Sequence, residues 1–208
     1  MVDDSSSELL LRVARVTHAT TAEGPNLRSA IWVQGCSIRC KGCINPHLFS
    51  DRGGEPLAPE AIIDDALAAD VEGLTLLGGE PLDQPEAIAR LAHLAQDAGL
   101  GVICFTGFTI ETVRETSDGR GLLRHVDLLV DGPYLASTPD MDRALVGSRN
   151  QRFIHLSDRY VGYDPARTPD RVDLRILPSG EVSIAGFLTA EHLGELAEGL
   201  GARRSMTT

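Results

Sequence analysis

The stretch Arg28-Ser29-Ala30-Ile31-Trp32-Val33-Gln34-Gly35-Cys36-Ser37-Ile38-Arg39-Cys40-Lys41-Gly42-Cys43 sets the terms for the rest of the chain. Its first half reads as a short strand over 28–34 that runs into Gly35. Its second half carries three of the four cysteines at the spacing Cys-x3-Cys-x2-Cys. That spacing suits a loop wrapped around something held by thiolates, and three ligands are one short of a closed four-coordinate site. An iron–sulfur cubane on Cys36, Cys40 and Cys43 leaves one iron open to another ligand, and that iron is the expected seat of chemistry. A zinc-stabilised loop is the rival reading, because His47 would complete a set of three thiolates and one imidazole. Structural zinc sites more often use two close ligand pairs separated by a longer stretch, which favours the cluster. Lys41, the only lysine of the chain, and Arg39 place positive charge beside the thiolates. That charge either favours a reduced, more negative cluster or is a solvated loop charge.

Outward from this loop, strand and helix patterns alternate. Residues 9–16 read as a strand, ending in the polar stretch Thr17 to Pro25, and the Asp/Ser-rich residues 1–8 as a mobile tail. Beyond the cysteines, Asn45-Pro46 to Gly53-Gly54 is turn chemistry. Helices are expected over 59–69, 85–98 (stopped by Gly99) and 109–116, and strands over 74–77, 102–105 and 126–130. Such alternation implies right-handed β-α-β units, a parallel sheet, and a site built from the loops at the C-terminal strand ends. Each loop of interest does follow a strand: the cysteine loop, Gly78-Gly79-Glu80-Pro81, Thr106-Gly107 and Asp131-Gly132-Pro133. After about residue 145 the pattern changes to a strand over 152–156, a hairpin around Pro178-Ser179-Gly180 and a helix over 189–198. The division expected is a tail (1–8), a core domain (9–156) and a C-terminal extension packed on it (157–208).

Apolar residues make up 42% of the 208 and charged ones 24%, an ordinary globular composition. No apolar run approaches the roughly 20 residues that span a bilayer, and the acidic, polar start is unlike a secretory signal. Three bunched cysteines do not make a disulfide framework. The expectation is a reduced, cytoplasmic protein. A net charge of −11 argues against nucleic acid or an anionic membrane as partner.

Gly78 and Gly79 would let a ligand approach the backbone, and the Glu80 carboxylate could accept hydrogen bonds from an ammonium group. Thr106-Gly107 and Asp131-Gly132 alone are ordinary strand-to-helix turns. Cys104, among Val102, Ile103 and Phe105, reads as a buried structural thiol. The remaining histidines show no ligand spacing, and no nucleophile elbow or phosphate loop supports a hydrolase or kinase.

Cys-x3-Cys-x2-Cys after one strand and Gly-Gly-Glu-Pro after the next resemble the radical S-adenosylmethionine superfamily. Glu23-Gly24-Pro25-Asn26-Leu27-Arg28 before Trp32-Val33-Gln34-Gly35-Cys36 is similar to the glycyl-radical-enzyme activases. Cys40-Lys41-Gly42-Cys43-Ile44-Asn45, Phe105-Thr106-Gly107-Phe108 and Gly147-Ser148-Arg149-Asn150-Gln151 resemble those that activate anaerobic ribonucleotide reductase. The resemblance spans roughly residues 12–156. It implies an α/β fold, a partial (β/α) barrel, to which this chain adds a small C-terminal hairpin-and-helix extension. It further implies one 4Fe-4S cluster on Cys36, Cys40 and Cys43, with S-adenosylmethionine on the open iron. Gly78, Gly79 and Glu80 would hold the methionine end, and Thr106 and Gly107 would line the nucleoside side. Reductive cleavage would give methionine and a 5′-deoxyadenosyl radical, which takes hydrogen from a glycine Cα of a partner enzyme. A flavodoxin or ferredoxin would supply the electron. Two departures stand out: Asn26 replaces the family's second glycine, a position an Asn tolerates in left-handed backbone, and the segment after Leu156 is extra. Two other functions remain open, radical modification of a peptide or small metabolite, and a non-catalytic zinc-binding or electron-transfer module.

Overall fold

The structure, a computed structural model, describes residues 9–176, 179–180 and 182–186, together with Gly194 and Glu198. Seven strands form one open sheet in the order β3-β1-β2-β4-β5-β6-β7, where β1 is Leu11–Thr20, β2 Arg28–Val33, β3 Glu55–Leu57, β4 Gly73–Gly78, β5 Gly101–Thr106, β6 Leu128–Asp131 and β7 Arg152–His155. The central four, β2, β4, β5 and β6, are parallel, as the alternation predicts. Antiparallel strands flank them on both sides, and the sheet does not close on itself. Crossovers run through α1 (Pro59–Ala68), α2 (Pro85–Asp97), and the pair α3 (Ile110–Glu115) and α4 (Ser117–Leu123). α4 lies where no helix was expected, and it contains two poor helix formers, Gly119 and Gly121. It forms because Thr116 caps it, accepting from the Gly119 amide, and because a Cβ at Gly119 would overlap the Val113 carbonyl of α3.

Side chains alternate across the parallel strands. Ile31 and Val33, Leu74 and Leu76, Val102 and Cys104, and Leu129 pack against Ile62, Ile88, Leu91 and Leu122 of the helices. Burying each of these aliphatic side chains is worth about 1.5–3 kcal/mol, so the helix-covered face holds most of the apolar stabilisation. The opposite face carries Ala30, Trp32, Ile103, Leu128 and Val130, in smaller clusters. It also carries Arg28, fully buried, whose five donors reach Thr75 Oγ1, Tyr160 Oη and the carbonyls of Pro25, Leu74 and Gly101. This guanidinium ties the start of β2 to β4, β5 and the 157–163 segment, away from the cysteine end.

The hairpin expected around Ser179-Gly180 is present as β8 (Val172–Ile176) and β9 (Val182–Gly186), with Leu174 opposite Ile184. It docks on the face opposite the helices. Arg15 Nη1 donates to the Ile184 carbonyl at 2.7 Å, the Gly186 amide donates to Glu23 Oε1 at 2.6 Å, and Arg175 Nη2 donates to the Ala19 carbonyl at 2.8 Å. The tail at 1–8 and, apart from Gly194 and Glu198, the helix expected over 189–198 lie outside the described residues. Among the described residues no helix is long and apolar enough to cross a membrane.

Candidate metal and cofactor site

The cysteine loop is pinned at its base, where the Gly35 amide donates to the Leu48 carbonyl at 3.0 Å. Farther in, Ser37 binds Asp83 through both its amide (2.6 Å) and its hydroxyl (2.7 Å). The end of β4 presses directly on this base: Gly79 N donates to Val33 O at 2.9 Å and Glu80 N to Gly35 O at 2.8 Å. A Cβ at Gly78, whose φ is +109°, would stand 2.6 Å from Trp32 Cα, and one at Gly79 would overlap the Gly35 carbonyl. Both glycines are therefore demanded by the crossing of two strand ends, quite apart from any ligand.

Glu80 is 1% exposed. Its Oε1 accepts from Leu82 N (3.0 Å) and Thr106 Oγ1 (2.8 Å), and its Oε2 from Gly107 N (2.8 Å). Burial pushes the carboxyl up to about 7 against these three donors, which pull it down. Glu80 thus clamps the end of β4 to the loop after β5. Asp131, at the end of β6, makes the next such link, accepting from Ile110 N at 2.7 Å and from Arg152. Asn26 does take the left-handed backbone that its replacement of glycine requires, at φ +63°.

These links bring the expected residues together. Cys36, Cys40, Cys43, Gly78, Gly79, Glu80, Thr106 and Gly107 all line one cavity of about 180 Å³ at the C-terminal ends of the parallel strands. The three thiols are unpaired and partly buried, and burial pushes those of Cys36 and Cys43 up. Cys104 is fully buried on the helix-covered face and takes no part. Ile38, Tyr134, Leu145 and Gln151 also line the cavity and escaped the sequence reading. Gln151 was within reach, since it closes the Gly147-Ser148-Arg149-Asn150-Gln151 motif. Its Oε1 accepts from the amides of Gly147 and Ser148, which folds that motif over the cavity. Leu145 and Tyr134 carry no sequence signal; Leu145 holds a left-handed φ of +70°, a strained state for a leucine.

The donor set suits a cubane, which spreads three thiolates over three irons. A mononuclear zinc site needs four donors converging on one point about 2.0–2.3 Å away. Here His47 lines a neighbouring chamber rather than the cysteine cavity, and among the described residues no three His, Cys, Asp or Glu side chains form a single-ion site.

The chain matches the 4Fe-4S single cluster domain over residues 22–154. It is 31% identical over 140 residues to the anaerobic ribonucleoside-triphosphate reductase-activating protein of Pasteurella multocida, covering 62% of this chain and 87% of that one. The protein of the same name from Enterobacteria phage T4 is 28% identical over 157 residues, 72% of this chain and 97% of its own. The pyruvate formate-lyase-activating enzyme of Listeria monocytogenes is 32% identical over 100 residues, 45% of this chain and 40% of its own.

Proposed function

The chain belongs to the 4Fe-4S single cluster domain family and to its radical S-adenosylmethionine activating enzymes, and from that premise we propose that it generates the glycyl radical of an anaerobic ribonucleotide reductase or a related enzyme. The observation that carries the reading is the single cavity holding all three cysteines together with the Gly78–Glu80 and Thr106–Gly107 loops. In this reading Cys36, Cys40 and Cys43 hold the cluster, and the open sheet is a partial barrel with its helices outside. When bound, the cluster and S-adenosylmethionine supply one-electron cleavage of a carbon–sulfur bond and a carbon radical that takes hydrogen from the substrate.

The chain's own groups position and shield. The backbone at Gly78 and Gly79 leaves room for the methionine end, with no side chain in the way. Glu80 acts from beneath, holding Thr106 and Gly107 in place for the nucleoside side. Ile38, Phe105 and Leu145 exclude water from the reacting atoms. A flavodoxin or ferredoxin would supply the electron, as the resemblance implies.

The test is electron paramagnetic resonance on anaerobically reconstituted, dithionite-reduced protein, with and without S-adenosylmethionine. A reduced-cluster signal that shifts on adding the cofactor is expected, followed by a glycyl doublet on the partner reductase. A cluster indifferent to S-adenosylmethionine would leave an electron-transfer module instead.

A further inference from the structure

The segment after β7 lies beyond residues 22–154, the part of the chain that matches the family. Its stretch Asp164-Pro165-Ala166-Arg167-Thr168-Pro169-Asp170 is a turn organised by its own first residue. The Ala166 amide donates to Asp164 Oδ1 at 3.0 Å, while the Arg167 amide (3.1 Å) and the Thr168 hydroxyl (2.8 Å) donate to the Asp164 carbonyl. Pro165 and Pro169 each fix one φ within it. From this turn two acceptors reach back to the loop that precedes the Gly147–Gln151 motif. The Pro165 carbonyl accepts from the Ala144 amide at 2.9 Å, and Asp170 Oδ1 accepts from the Leu145 amide at 3.1 Å.

The left-handed φ of +70° at Leu145 is a state that a leucine keeps only where its surroundings enforce it. Leu145 is 6% exposed, yet among the described residues it belongs to none of the three apolar clusters. It lines the cysteine cavity with Cys36, Cys40 and Cys43, and it also lines a pocket formed with Tyr163, Thr168 and Asp170. Other bonds fasten the flanks of its loop: Arg143 donates to Asp140 and to the carbonyls of Arg149 and Gln151, and Gln151 accepts from Gly147 and Ser148. The amides of Ala144 and Leu145 are held instead by the 164–170 turn. Released from it, Leu145 would return to negative φ, which turns its Cβ from its present direction and opens the cavity wall to water.

We propose that Asp170 is a positioning residue: by accepting from the Leu145 amide it holds that leucine as a wall of the cysteine cavity, so that a segment outside the family match sets how tightly the cavity retains S-adenosylmethionine. The proposal rests on the radical reading for the occupant of the cavity and on the Asp170–Leu145 geometry for the device. Asp170 lies at the surface, so replacing it disturbs no apolar packing. Its charge also reaches the carboxyl of Glu23, which lines the same cavity, so the test has to separate charge from hydrogen bond.

The experiment adds S-adenosylmethionine in steps to anaerobic, cluster-loaded, dithionite-reduced protein and reads the shift of the cluster's electron paramagnetic resonance signal. Hydrogen exchange at the Leu145 amide is followed in the cluster-free protein. We expect Asp170→Ala to weaken S-adenosylmethionine binding by about threefold or more, the worth of one hydrogen bond, and to speed exchange at Leu145. Asp170→Asn, which keeps an acceptor and loses the charge, should match the wild type in both readouts. So should Arg167→Ala, at an exposed position of the same turn. In a Leu145→Gly background, where positive φ is unstrained and no side chain closes the cavity, adding Asp170→Ala should leave the affinity unchanged.

Wild-type affinity or wild-type Leu145 exchange in Asp170→Ala overturns the proposal. So does an Asp170→Asn protein as weak as Asp170→Ala, which would assign the effect to charge at Glu23. Weaker binding in Arg167→Ala, or a further loss on adding Asp170→Ala to Leu145→Gly, would show that the effect does not pass through the leucine, and overturns it too. A wild type whose cluster signal ignores S-adenosylmethionine would overturn the radical reading and the cofactor's part in the proposal, while faster Leu145 exchange in Asp170→Ala would still uphold the hold on the leucine.

Discussion

Replacing Glu80 by alanine removes the clamp between β4 and the loop after β5. The substitution strands Leu82 N, Thr106 Oγ1 and Gly107 N, each 2.8–3.0 Å from the carboxylate. A buried donor left without an acceptor costs about 1–3 kcal/mol. The Thr106 hydroxyl can turn away, and the two amides border a cavity that admits water, so the sum should fall at about 2–4 kcal/mol. This estimate holds where the wild-type carboxyl is neutral. Its folded value of about 7 lies above the 4.5 of an unperturbed glutamate, so the folded state keeps a proton that the unfolded chain has lost. Stability from this group is full below about 4.5 and is lost as the pH rises through about 7, by about 3 kcal/mol in all. Alanine has no such loss. The cost of Glu80→Ala should therefore be largest near pH 5 and shrink toward pH 8. Urea unfolding of the cluster-free, reduced protein at both pH values measures it; the buried Glu23, also near 7, is common to both proteins and cancels. A cost that grows with pH, or one under about 0.5 kcal/mol at pH 5, would refute the argument that these three hydrogen bonds hold the loop.

Serine at Cys36, Cys40 or Cys43 should each abolish the iron–sulfur absorption and leave the cluster-free circular dichroism intact, whereas Cys104→Ser should keep full iron content. Arg28→Met removes five hydrogen bonds from a fully buried position and should cost about 3 kcal/mol or more in urea unfolding. Arg28→Lys should restore less than half of that, because an ammonium lacks the fork that reaches both strands. Gly79→Ala, which drives a methyl into the Gly35 carbonyl, should yield little folded protein, while Gly121→Ala, in open space on α4, should be neutral or stabilising by up to about 1 kcal/mol in thermal unfolding.

The parallel core could be read in advance because each of its strands is a compact apolar run stopped by glycine or a polar turn, and the three cysteines sit at a spacing that little else explains. β3 escaped because it is three residues long with Pro56 in the middle, and α4 because it contains two poor helix formers, Gly119 and Gly121. The Gly78-Gly79-Glu80 loop was located correctly, but the interactions of Glu80 were not legible. Its partners, Thr106 and Gly107, become neighbours only once β4 and β5 pair. The same holds for Leu145, whose place beside the site depends on long-range docking that leaves no periodic trace in the sequence.

The burial of the cysteine loop also has a consequence for the protein before it receives iron. Burial raises the Cys36 and Cys43 thiols above the ordinary value and so favours their protonated form in the cluster-free protein. Protonated thiols are poor nucleophiles and slow to oxidise, so Cys36 and Cys43 should resist alkylation in the cluster-free protein. A cluster held on these cysteines would have to expel those protons, so it should form more readily as the pH rises.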